Sequence, residues 1–154
     1  MLKRDILNAL ANIPRFSIRQ ATQIYHDICR NSERSGFKAS GGSSLTILMG
    51  KESYIRCLIK YEKWKTAQHL ERELLDQLDS DPAAGALHRA LILKTCAQLS
   101  WQRDDQAGWR EKITRAAQLM LQAGLNHQLR LVQQDYQEHL KPILEAITPD
   151  PEGF

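Results

Sequence analysis

The chain has no apolar run approaching the roughly 18 residues that a membrane-spanning helix requires, since even Ala90-Leu91-Ile92-Leu93 is stopped by Lys94. No membrane partner is expected. The opening residues, Met1-Leu2-Lys3-Arg4-Asp5-Ile6, lack the apolar stretch and small-residue cleavage site of a secretory signal, so a cytoplasmic protein is expected. Cysteine is scarce: Cys29, Cys57 and Cys96 are odd in number, and each lies within an apolar helical pattern. This excludes a disulfide framework and reads as reduced core thiols in a reducing compartment.

Local metal-ligand spacing is missing as well. Histidines 26, 69, 88, 127 and 139 never fall four residues apart, and no cysteine stands two or three residues from another. The glycine-rich turn Gly41-Gly42-Ser43-Ser44 lacks the lysine of a phosphate-binding loop, with Lys38 preceding the glycines instead of following them. Ser44 reads there as a plain helix cap. No paired carboxylates or nucleophile with base are assembled by any local pattern, so no catalytic residue, metal or cofactor is assigned, and no enzyme is expected.

What is present is the composition of an ordinary globular protein, with 42% apolar and 25% charged residues, which fits neither a disordered nor a fibrous chain. At 154 residues it is large enough for one domain with its own core, taken here as 1–147, followed by a short tail at 148–154 without helical capacity. The net charge of +3 is unevenly spread. Residues 1–40 hold seven Lys or Arg against three acids and residues 126–154 two against five, a polarity able to steer a partner or to pair two copies.

The dominant periodicity is helical. Ile6, Leu7 and Leu10 mark a first helix over 3–12, which Pro14 ends, and Ser17 caps a second bearing Ile18, Ala21, Ile24, Tyr25 and Ile28. The stretch 32–44, with three glycines and five serines, reads as a mobile loop because ordering it costs much chain entropy. Leu45 to Met49 reads as a helical turn or a short extended piece ended by Gly50, with the helical period resuming from Glu52. Further stripes run through Leu70, Leu74, Leu75 and Leu78, and through Leu87, Leu91 and Cys96 after an Asp81-Pro82 start signal. Asp104 or Asp105 caps the next helix, which carries Trp109, Ile113, Ala116, Ala117 and Met120 and stops at Gly124. A last helix from Asn126 bears Leu129, Val132, Tyr136, Leu140, Ile143, Leu144 and Ile147, with a kink or break expected at Pro142.

Three Ala-Gln-type segments, around Ala21, Ala67 and Ala116-Ala117, recur at intervals of somewhat under fifty residues, each near the start of a second helix. A small residue there lets two helices approach closely. The expected fold class is all-α: six to seven helices in antiparallel hairpins, stacked as a short α-solenoid or forming an irregular bundle. Tyr61, Trp64 and Ala67, then Trp109, Ala116 and Ala117, with Pro82 near the closing position of a repeat, give residues 52–124 a resemblance to two degenerate tetratricopeptide-type hairpins. The interval is longer than that family's roughly 34 residues. The resemblance implies a curved stack whose inner surface receives a peptide or helix of another protein.

The functional expectation is accordingly a non-catalytic interaction module, an adaptor or regulatory subunit with a protein partner. Candidate partner-binding residues are Arg30, Arg34, Phe37 and Lys38 in and before the loop, together with Tyr54 and Trp101, the aromatics nearest the polar edges of their stripes. The alternative is a helical subunit that binds nucleic acid through the basic N-terminal third and the loop 32–44. Solvated helix faces account for the charges, and hairpin core accounts for the aromatics, without any partner at all.

Overall fold

The apolar stripes become seven α-helices, the only regular elements among the described residues: α1 (Lys3–Asn12), α2 (Ile18–Arg34), α3 (Gly41–Lys60), α4 (Trp64–Ser80), α5 (Ala86–Gln102), α6 (Gln106–Gln122) and α7 (Asn126–Ile147). The fold is all-α. The computed structural model describes residues 3–12, 17–34, 41–81 and 84–148. The chain gathers into two compact units, Met1–Gly85 and Ala86–Phe154, each taken by itself below.

In the first unit α3 is the central helix, packed against α1, α2 and α4. Its residues are hidden nearly all round between Gly50 and Ile59, charged ones included. Lys51 is 6% exposed and donates to Gln77 Oε1 at 2.7 Å while lying 3.4 Å from Glu73 on α4. Glu52 is 4% exposed and pairs with Arg56 at 3.0 Å; Arg56 in turn reaches Asn8 on α1 and Ser53. A buried charge is tolerable only when paired in this way, so these contacts fix the register of α3 against its neighbours. Ala67, Leu70, Leu74 and Leu78 form the buried stripe of α4, each leucine contributing about 1.5–3 kcal/mol on burial.

In the second unit α6 packs against both α5 and α7. Its buried face is Trp109, Ile113, Ala116, Ala117 and Met120, the stripe expected from the sequence. The recurring small residues Ala21, Ala67, Ala116 and Ala117 are all fully buried, on α2, α4 and α6.

Three helix ends share one closure. After α3, the Glu62 N–H donates to Ile59 O and the Lys63 N–H to Leu58 O; after α5, Asp104 donates to Trp101 O and Asp105 to Ser100 O; after α6, Gly124 donates to Leu121 O and Leu125 to Met120 O. In each case the residue just past the cap has a left-handed backbone, φ 55° at Glu62, 58° at Asp104 and 69° at Gly124. This Schellman pairing satisfies carbonyls that the helix leaves open. The following residue is already the N-cap of the next helix, so the chain reverses within three residues. Asp105 caps α6 by accepting from the Gly108 N–H at 3.0 Å, and Ser17 caps α2 by accepting from the Gln20 N–H at 3.3 Å.

Three sequence expectations need correction. The loop over 32–44 is shorter at both ends: α2 continues to Arg34 and α3 begins at Gly41, while residues 35–40 lie outside those described. Glu33 and Arg34 are good helix formers, and glycine is tolerated in a first helical turn whose amides have no partner anyway. Leu45 to Met49 is neither a lone turn nor extended, because α3 runs on through Gly50, which packs against Ile28. Asp81-Pro82 does not open α5. Asp81 ends α4 in extended geometry, as a residue before proline prefers, and α5 begins at Ala86. The break expected in α7 from Pro142 is present and falls at Gln137 (φ 40°, ψ −113°). A proline ring clashes with the carbonyl four residues earlier, here that of Glu138, so the chain deviates just ahead of it. Thr148 closes α7, and the remainder of the tail lies outside the described residues.

Candidate functional site

The first unit carries an open groove of about 330 Å³ where α2, α3 and α4 meet. Ile18, Arg19, Thr22 and Gln23 come from the first turns of α2, and Tyr54 and Leu58 from α3. Lys63 and Thr66 complete it from the N-cap and first turn of α4. The helix periods explain the set: Ile18, Thr22 and Tyr25 lie along one edge of α2, while Tyr54 and Leu58 are four apart on α3.

The floor is built on a hydroxyl pair. The Thr22 hydroxyl donates to Ile18 O at 2.8 Å, so across its 2.8 Å contact with Tyr54 it accepts, and the Tyr54 O–H donates. The Tyr54 ring is stacked on Tyr25, with centroids 4.6 Å apart and planes inclined by 19°. Burial holds the Tyr25 hydroxyl far above its ordinary ionisation range, and the neighbouring Cys29 pushes the same way. The floor is therefore neutral and largely apolar.

The rim is different in character. Arg19 and Lys63 are exposed, and among the described residues no acidic side chain lines the groove. The first turns of α2 and α4 contain no acid, and Lys63 supplies no side-chain cap to α4. The partial positive charge of two helix starts adds to the two cations.

Of the sequence-predicted partner residues, Tyr54 is at this groove, 5% exposed. Arg30 is exposed on α2, eleven residues or about 16 Å along the helix from Arg19, and does not line it. Arg34 ends α2, and Phe37 and Lys38 lie outside the described residues. Trp101 belongs to the second unit, where its ring meets Trp109, Tyr136 and His139 at centroid distances of 5.0, 5.1 and 4.9 Å. Burial pushes the Tyr136 hydroxyl up to about 12, an effect partly opposed by the nearby indole of Trp109, whose N–H has no partner in full hydrogen-bond geometry. That cluster is packed ring against ring, with Trp109 and Tyr136 also in edge contact at 5.1 Å. Sequence reasoning assigned Thr22, Lys63 and Thr66 to no site and counted Arg19 only within the basic N-terminal third. The available signal was the first turn Trp64-Lys65-Thr66 preceded by Lys63, basic where helix starts favour acids and capping side chains.

Among the described residues no three His, Cys, Asp or Glu side chains converge closely enough to hold a metal ion, and no helix is long and apolar enough to cross a membrane. Comparison with protein-family models, curated proteins and solved structures found no match for the chain.

Proposed function

We propose that this chain is a non-catalytic interaction module, an adaptor or regulatory subunit, that receives a short segment of a partner protein in the groove between α2, α3 and α4. The observation that carries this reading is the groove itself: an apolar, ring-backed floor with a charged rim is the arrangement by which protein surfaces take up a peptide. Its volume lies near the lower end of the roughly 300–1,000 Å³ range of ligand sites, which suits a few side chains better than a whole helix face.

The same reading extends to architecture and location. Matching three-residue reversals close the α3–α4 and α5–α6 hairpins, and α4, α5 and α6 are each 17 residues long, which supports a repeated hairpin of the tetratricopeptide kind. Three free cysteines, two of them buried, support a reducing, cytoplasmic setting.

Selection of short random peptides displayed on phage, with the full chain as bait, tests the proposal. Selected peptides are expected to lose binding when Gln23→Trp fills the groove from its exposed edge, and to keep it when Trp is placed at exposed Gln133. Equal binding to both variants contradicts the groove as the docking site.

A further inference from the structure

We infer that the segment received in this groove is acidic, with an apolar side chain on the floor and aspartate or glutamate beside it at the rim; this rests on the peptide-docking reading above. Lys3, Lys51 and Arg56 in the same unit are all tied to carboxylates, at 3.0, 3.4 and 3.0 Å. Arg19 and Lys63 have no such partner among the described residues, and both line one cavity, from α2 and from the N-cap of α4. Two exposed cations lining the same space, with no acid lining it among the described residues, favour an occupant that brings negative charge. The α4 first turn strengthens this, since its N-cap residue is a lysine and its amides receive no side-chain acceptor.

The floor decides the rest of the chemistry. Tyr54 and Thr22 satisfy each other, leaving half-buried Ile18 to offer apolar contact, with Leu58 only 2% exposed. A purely ionic ligand leaves that surface uncovered, whereas an apolar residue flanked by carboxylates covers both parts. A single-stranded nucleic acid would bring charge too, but it binds through rings with a free face, and Tyr54 is 5% exposed with Tyr25 stacked on it. The acidic peptide is therefore the occupant the geometry favours.

The test uses the full chain and the phage-displayed random peptides. Selection at low salt is expected to enrich Asp or Glu next to a leucine, isoleucine or phenylalanine. A fluorescein-labelled selected peptide is expected to lose at least about tenfold in affinity on Arg19→Glu with Lys63→Glu, and to stay within about threefold on Arg19→Lys with Lys63→Arg. Both residues are exposed, and far-UV circular dichroism verifies that the variants keep their helices. Enrichment of neutral or basic peptides that Gln23→Trp still blocks overturns the acidic inference and leaves peptide docking standing. Absence of any peptide sensitive to Gln23→Trp overturns both. An oligothymidine that binds more tightly than every selected peptide, or self-association in sedimentation, either one abolished by the charge reversal, also overturns the inference, by assigning the rim to a nucleic acid or to a second copy.

Discussion

The Tyr54 hydroxyl donates to Thr22 Oγ1 across 2.8 Å, joining α3 to α2 at the bottom of the groove, while the Thr22 O–H donates to Ile18 O. Tyr54→Phe removes one hydrogen bond yet leaves the threonine satisfied, so the expected cost is about 1 kcal/mol. Thr22→Val leaves the buried tyrosine O–H without its partner, and the cost rises to about 1–3 kcal/mol. Urea unfolding of the two variants checks the order, and equal losses contradict the direction assigned to this bond.

The three left-handed positions give a prediction of opposite signs. At Glu62 and Asp104 a side chain occupies backbone that glycine adopts freely, and Glu62→Gly or Asp104→Gly is expected to stabilise by about 0.5–1 kcal/mol. At Gly124, whose added Cβ would meet nothing within 4 Å, Gly124→Ala costs about 1 kcal/mol from backbone strain alone. Thermal melts that move Gly124→Ala upward contradict the account.

Two helical glycines separate packing from propensity. Alanine normally gains about 1 kcal/mol over glycine inside a helix. Gly50→Ala is expected to realise that gain, because its Cβ would meet Ile28 Cγ2 at an ordinary 3.5 Å. Gly108→Ala is expected to lose stability instead, since its Cβ would collide with Asp105 Oδ2 and displace the cap. Asp105→Ala, which removes that cap directly, costs about 1 kcal/mol. If Gly108→Ala and Asp105→Ala in combination are additive, the cap is not the reason.

Alkaline pH should weaken the fold. Burial raises the Cys57 thiol from 9.0 to about 11 and the Tyr136 hydroxyl from 10.0 to about 12. Both are neutral when protonated, so their stabilising contribution is complete below the unfolded values and is lost as pH rises through the folded ones. Stability measured by urea unfolding is expected to fall between about pH 9 and 12. Cys57→Ala with Tyr136→Phe should flatten that decline, and a slope unchanged by the pair rejects these groups as its source.

How much of this was legible follows from where local and tertiary forces agree. The stripe on α6 could be read because Asp105, Gly124 and the spacing of Trp109 to Met120 all specify the same helix. The first half of α3 could not: Gly41, Gly42 and Gly50 argue against a helix locally, and packing on α1, α2 and α4 sustains it. The burial of Lys51 and Glu52 is likewise invisible in the periodicity, because their partners Glu73, Gln77 and Arg56 matter only once the helices are in place. Of the groove, Tyr54 was legible as an aromatic at a stripe edge. Arg19 and Lys63 stand 44 positions apart and acquire their joint meaning only when α2 and α4 are brought to one cavity.

Chemical-shift mapping offers the most direct test of the docking claim. A selected acidic peptide titrated into the isotopically labelled full chain should perturb the amides of Ile18 to Gln23, Tyr54, Leu58 and Lys63 to Thr66, together and with one saturation curve. Perturbations confined to α5, α6 and α7, with those amides unmoved at saturation, would contradict the account.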